Sequence, residues 1–361
     1  EAAIKAAFIE ARRAAEFGFT ATEYNRFKAN YLSSLEKQYL NKDKRYNATF
    51  VNQYVQHFLA NEPIPSIDYT YEIMKQVVPA IPVDYINMVM KELVPPTNKN
   101  LVLLNFNTEK DGAVYPTAET FKKAIDEARA ETIEAYVDNV KDEPLMATLP
   151  QPGKIVKEEK NDKFDYTKLT LSNGATVILK QTDLKKDQVI LSGEGFGGSA
   201  LYGAADFSNL KMFNDVIEAS GLGNFSHTEL VKAMAGKIAS LSLSLGTHRQ
   251  HVSGSSTPKD VESMLQLLYL TFTNINKDQQ SFDNLMQTTE LELKNRLMNP
   301  EVVFSDSLQA TVSCHNPRMA PLTVEALKQV NYDRILQIAK ERTANAAAYT
   351  FTIIGNYDEA T

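Results

Sequence analysis

The 361 residues contain one cysteine, no tryptophan and five histidines. The lone thiol, Cys314, excludes an internal disulfide and any paired-cysteine metal site. It has His315 beside it and no other support for a nucleophile, so it reads as a buried bystander. No run approaches 18 apolar residues, which excludes a membrane-spanning helix. Positive charge is in deficit, with 38 Lys and Arg against 45 Asp and Glu. A net charge of −7 argues against a nucleic-acid partner. There is no Walker loop and no serine-hydrolase elbow; Ser253-Gly254-Ser255-Ser256 lacks the second glycine and runs into Pro258. No secretory leader is visible, but Glu1 already stands inside a helical pattern, so compartment stays open.

What the sequence does contain is one structural unit twice. At an offset of 258, Tyr24 falls on Phe282, Phe27 on Leu285, Leu35 on Leu293, Asn41 on Asn299, His57 on His315 and Pro63 on Pro321. After a gap of nine residues the match resumes, with Asp84, Ile86, Val89, Lys91 and Glu92 meeting Asp333, Ile335, Ile338, Lys340 and Glu341. Each copy closes on an apolar run, Leu101 to Phe106 and Tyr349 to Ile354, expected as a strand. A repeat this long is a duplicated domain rather than a short-period solenoid. Nothing in the first copy answers to Phe164 through Pro258, so that copy is expected to be truncated and the chain to be a piece of a larger protein.

Local patterns place the elements. Gly18 caps a first helix, and Thr20-Ala-Thr-Glu23 is a capping box. Tyr24, Phe27, Tyr31, Leu35 and Tyr39 then recur at helical spacing. Further helices are expected to about Leu59, over Val83 to Leu93, and over Ala118 to Val140. Residues 141–162 carry a linker composition. Asn173-Gly174 between alternating apolar runs marks a hairpin. A strand at Gln188 to Ser192 follows, then helices at Ala205 to Ser220 and Ser226 to Met234. An alternating strand region spans Ile238 to Ser253. The order predicts an α+β fold, an antiparallel-rich mixed sheet covered by helices. The domain expectation is 1–140, the back of one domain plus a connecting helix; 141–162, a linker; and 163–361, a complete domain.

The chemistry-bearing patterns are thin. Gly193-x-Gly195-x-x-Gly198 matches a dinucleotide fingerprint, but an antiparallel hairpin precedes it and no helix opens on its last glycine, so a closely approached strand end is the better reading. His248 and His251, three apart on a strand, face opposite sides and do not make a metal pair. His57 and His315 coincide under the repeat and are expected to share a packing role.

In the second unit, Leu171-Ser-Asn-Gly-Ala-Thr-Val-Ile-Leu179, Gly197-Gly-Ser199, Ser226-His-Thr-Glu-Leu-Val-Lys-Ala-Met234 and the closing Ile353-Ile-Gly-Asn-Tyr-Asp358 resemble the pitrilysin/insulinase family of zinc peptidases. The resemblance implies duplicated domains enclosing a peptide-sized chamber. It implies an inverted His-x-x-Glu-His zinc motif on the first helix after the Gly-Gly-Ser turn, carried only by an N-terminal domain. In this chain Met212, Asp215 and Val216 stand at the motif positions. Glu290 or Glu292 lies at the distance of the last ligand, without imidazoles to complete a site. The resemblance therefore implies no catalytic, cofactor or metal residue here, with zinc and hydrolysis in an absent domain. The chain would be a non-catalytic segment of a zinc endopeptidase, inactive alone. Its partners would be a peptide or unfolded protein substrate and the remaining domains of the parent chain. The style of the resemblance is bacterial and periplasmic. The alternative is a metal-free structural or assembly protein of the same fold, which an upstream region without the zinc motif would mark.

Overall fold

A computed structural model describes residues 1–99, 101–106, 112 and 114–358. In chain order the first elements are α1 (Ala2–Phe17), α2 (Ala21–Leu40), α3 (Asn47–Ala60), α4 (Ile67–Ala80), α5 (Val83–Leu93) and α6 (Ala118–Ala130). There follow β1 (Ile155–Asn161), β2 (Tyr166–Leu171), β3 (Thr176–Gln181), β4 (Val189–Phe196), α7 (Phe207–Glu218), β5 (Gly221–Leu222), α8 (His227–Ala233), β6 (Ala239–Leu245) and β7 (Arg249–Ser256). The last are α9 (Val261–Thr273), β8 (Ile275–Asn276), α10 (Gln279–Arg296), α11 (Pro300–Val312), α12 (Val324–Leu327), α13 (Tyr332–Thr343) and β9 (Tyr349–Gly355). The chain divides into two compact units, Glu1–Leu32 with Pro65–Val140, and Ser33–Ile64 with Lys141 onward.

The duplication is visible in element starts. At the offset of 258, the first residue of α2 falls on the first residue of α10; at 249, the start of α5 falls on the start of α13. The gap between the two offsets lies where α4 is long and α12 is a single turn.

In the first unit the capping box forms: Thr20 N–H donates to Glu23 at 2.8 Å and Glu23 N–H to Thr20 Oγ1 at 3.2 Å. α1 packs on α6 through Ala15, Ala124, Ile125 and Ala128, all buried. Arg12 donates to the carbonyls of Ala128 and Arg129 at 2.5 and 3.0 Å, satisfying the C-terminal end of α6. Two expectations fail in this unit. α6 stops at Ala130 rather than continuing to Val140, because Arg12 takes its last carbonyls. The extended segment beyond is instead held by Arg26, which grips Asp138 at 2.7 and 3.0 Å. The run Leu101 to Phe106 is not a strand. A strand needs a neighbour to pair with, and among the described residues of this unit there is none. Leu101 and Leu103 line a cleft with Phe121 and Ile125 of α6 instead.

In the second unit a seven-stranded mixed sheet runs in the order β1-β2-β3-β9-β4-β7-β6. β9 lies parallel to β3, and the other pairs are antiparallel. α7, α9 and α13 cover one face, and the core between contains Val189, Leu191, Phe213, Val216, Val252, Met264, Ile335, Ile338 and Tyr349. β4 shows the one-sided burial cleanly, with Val189 and Leu191 inward and Ile190 and Glu194 outward. Gly193 lies inward as well, where a β-carbon would come within 2.8 Å of the Phe351 ring. Gly198 has φ 71, and a β-carbon there would meet the Gly246 carbonyl at 2.5 Å. The three-glycine pattern thus serves close approach in a sheet.

Other expectations are corrected here. β1 occupies part of the stretch that reads as linker at 141–162. Its Lys-Glu run disguises a strand exposed along nearly its whole length. The alternating region Ile238 to Ser253 is two strands, β6 and β7, folded back at Gly246, and His248 sits in the turn. Cys314 is exposed, at φ 51, just past the end of α11. His57 and His315 do not share a packing role: both are exposed, His57 helical and His315 left-handed at φ 54.

Candidate functional site

β6 is an outer strand of the sheet. Its hydrogen-bond phase is fixed at both ends. Gly246 N–H donates to the Arg249 carbonyl at 2.9 Å, and Thr257 N–H to that of Ile238 at 3.0 Å. With the register Ser242↔Ser253, the serines Ser240, Ser242 and Ser244 exchange bonds with β7. Ala239, Leu241, Leu243 and Leu245 therefore turn their N–H and C=O groups outward. Asn214 of α7 takes the outermost of these, its Oδ1 accepting Leu245 N–H at 3.1 Å. Among the described residues no strand pairs with the rest of this edge.

Alongside the edge runs a groove of about 670 Å³. It is lined by β6, by Leu230 and Val231 of α8 with Met234 just beyond it, and by Leu222 and Ile275, with His227 and Glu218 also on its surface. α8 is a rigid wall because its start is fixed three ways. Ser226 Oγ accepts Glu229 N–H at 3.2 Å, and Glu229 accepts Ser226 N–H at 2.8 Å. The carboxylate of Asp278 accepts His227 N–H at 2.9 Å. The Ser226 N–H holds the Glu229 carboxyl below the usual carboxylate range. An extended edge beside an apolar wall can bind a chain segment.

The ionisable clusters elsewhere are structural in geometry. Arg334 binds Asp206 and Glu341, and Tyr202 donates to Glu341 at 2.9 Å. On the open sheet face Glu194 pairs with Arg249 and lies 3.5 Å from His251. Among the described residues no three His, Cys, Asp or Glu side chains come together in a way that could hold a metal ion.

No family model matches the chain. Individual proteins do. It is 23% identical over 342 residues to a zinc protease PQQL-like of Arabidopsis thaliana, covering 94% of this chain and 33% of that protein. It is 22% identical over 348 residues to the probable zinc protease PqqL of Escherichia coli, covering 95% and 37%. The crystal structure of the periplasmic protease PqqL from Escherichia coli superposes with a TM-score of 0.55 at 20% identity, over 99% of this chain and 39% of that one. The ferredoxin protease FusC, in complex with Arabidopsis ferredoxin, gives 0.52 at 15% identity, over 99% and 40%. Together these support the pitrilysin/insulinase-type family. The chain spans little more than a third of the relatives it matches.

The positions that the family resemblance assigns to the zinc motif lie on α7. Met212 and Val216 occupy two of its positions and are buried in the hydrophobic core; Asp215, at the third, is exposed. A buried thioether and an isopropyl group do not supply the imidazoles a pitrilysin zinc site uses, so these residues do not fit the metal. Glu290 is tied to Lys294 at 2.8 Å, and that hydrogen bond lowers its pKa. Glu292 is exposed on the same helix. The groove beside β6 leaves no local signature in the sequence. The Leu-Ser alternation of Ala239 to Leu245 marks a strand, but only the sheet order shows that this strand is an outer one.

Proposed function

We propose that this chain is a non-catalytic segment of a zinc-dependent endopeptidase, one that helps enclose the substrate and bind peptide while another domain of the parent chain performs hydrolysis. One observation carries the reading. Likeness to zinc proteases runs along nearly the whole chain, yet the helix that would bear the metal motif packs Met212 and Val216 into the core. Keeping the fold while filling the metal position with apolar side chains is what a chamber-forming domain needs. The substrate class is a peptide or unfolded protein, in keeping with relatives named as proteases. A periplasmic setting accords with the PqqL relative, itself a periplasmic protease.

The experiment is metal analysis of the purified chain after zinc loading and desalting, together with digestion of a fluorogenic peptide library. Zinc far below one per chain and no cleavage are expected, with chelator-sensitive cleavage by the parent protein. Stoichiometric zinc in this chain with cleavage abolished by a chelator overturns the reading. A parent that lacks the inverted motif and cleaves nothing makes the fold a structural scaffold instead.

A further inference from the structure

Thr271 and Thr343 are buried, at 6% and 5% exposure, and both line a cavity of about 350 Å³ formed by the end of α9, the start of β8 and α13. This cavity shares only Thr271 and Ile275 with the β6 groove. Each hydroxyl donates to its own helix, Thr271 to the Leu267 carbonyl at 2.8 Å and Thr343 to that of Ala339 at 3.0 Å. Each oxygen is thereby left as an acceptor, and nothing among the described residues donates to it. α9 ends at the same cavity. Asn274 N–H closes onto the Leu270 carbonyl at 2.7 Å, while the carbonyls of Thr271, Phe272 and Thr273 receive no hydrogen bond among the described residues. The negative end of the helix dipole adds to these acceptors. Yet no Asp or Glu lines the cavity.

The donors stand on α13. Gln337 and Lys340 line the cavity from one helix face, both exposed, with no hydrogen bond or ion pair among the described residues. Apolar surface comes from Phe272, Ile275 and Leu336, all half-buried. The Phe272 ring is fixed by an edge contact with Tyr349, at 5.0 Å between centroids, and lies tilted on Phe351 at 5.7 Å.

We propose that this cavity binds one free apolar α-amino acid. Its ammonium group meets the threonine and α9 acceptors, its carboxylate meets Lys340 and Gln337, and its side chain lies on Phe272, Ile275 and Leu336. Each simpler ligand fails on one count. A metal ion would find no carboxylate and would be repelled by Lys340. A bare carboxylate would leave the acceptors unmatched, and a bare amine would leave the Lys340 charge unmatched. A zwitterion matches both at once and enters with no net charge. The volume is at the small end of the range of about 300–1,000 Å³ for ligand clefts, which suits a single amino acid rather than a chain. The site goes beyond the endopeptidase reading and does not depend on it.

The test is isothermal titration calorimetry of the chain as it stands with L-leucine and two analogues. Isocaproate lacks the ammonium group and isopentylamine lacks the carboxylate. Leucine is expected to bind, and each analogue to bind at least about tenfold more weakly, the scale of one lost hydrogen bond to a charged group. Lys340→Met keeps the aliphatic stem and removes the charge. It is expected to bring leucine down to the affinity of isopentylamine, without weakening isopentylamine and without changing the circular dichroism. Thr343→Val removes an acceptor at nearly constant shape, and is expected to weaken leucine and isopentylamine while sparing isocaproate. No heat of binding at millimolar leucine overturns the proposal. So do equal affinities for the three ligands, which would mark an apolar slot without charge recognition. Leucine binding untouched by Lys340→Met also overturns it, since the ligand would then lie elsewhere. Peptide hydrolysis by the parent, or its absence, bears on the endopeptidase reading alone.

Discussion

Arg334 grips Asp206 with two hydrogen bonds, at 2.9 and 2.8 Å, and turns its remaining nitrogen to Glu341 at 3.1 Å. Asp206 stands at the head of α7 and Arg334 in the first turn of α13, so the pair fastens together two of the helices that cover the sheet. The Arg334 hydrogen bond holds the Asp206 carboxyl below its ordinary value. A depressed folded pKa contributes stability that is present above the unfolded value and disappears as pH falls through the folded one. Asp206→Asn is therefore expected to cost on the order of 1–2 kcal/mol at pH 7. It should also flatten the loss of stability below about pH 4. Urea midpoints across that range check both; an unchanged acid slope in the variant refutes the assignment.

Two tyrosines should set the alkaline limit. Burial pushes Tyr202 and Tyr349 each up to about 12, and Tyr349 donates to the Arg342 carbonyl at 3.0 Å. A raised folded pKa gives stability that is complete below the unfolded value near 10 and fades as pH rises toward the folded one. Thermal melts from pH 9 to 12 are expected to fall above pH 10. Tyr349→Phe should show a shallower fall than the unaltered chain.

The core prediction is steric. Phe213 is fully buried between α7 and the sheet. Phe213→Ala is expected to cost about 3–5 kcal/mol through lost transfer and an unfilled cavity. Glu292→Ala, on an exposed helix face, should stay within about 0.5 kcal/mol. Chemical denaturation of the two variants side by side reads the contrast.

The segment Glu131–Val140 is expected to depend on one guanidinium. Arg26 donates to both carboxylate oxygens of Asp138, and the Asp138 side chain is only 2% exposed. Arg26→Ala leaves that carboxylate without its counter-charge. Hydrogen exchange over 131–140 should accelerate, with exchange in the second unit unchanged.

How much of this was readable beforehand depends on whether the cause is local. The start of α2 follows from Thr20 and Glu23, and the β2–β3 turn from Asn173-Gly174, because each signal sits within four residues. The duplication was legible because apolar spacing survives divergence. The end of α6 was not, since Arg12 and Arg26, distant in sequence, decide it. Leu101 to Phe106 has the composition of a strand and lacks only a neighbour, which composition cannot reveal. β1 hid behind its charges for the reason that makes it safe as an edge. For the candidate site, Met212 and Val216 are legible as apolar residues at the positions the family resemblance assigns to the metal motif. The groove needed strand order, a property of the whole sheet.

β9, made after every other strand, lies between β3 and β4. A growing chain therefore carries two unfinished half-sheets from the completion of β7 at Ser256 until Tyr349–Gly355 joins them. Such a topology folds late and in one closing step, because its decisive contacts are distant in sequence. A product cut ahead of Tyr349 would expose two raw edges at once, β3 and β4, and should be lost to aggregation or proteolysis rather than persist as a smaller working domain.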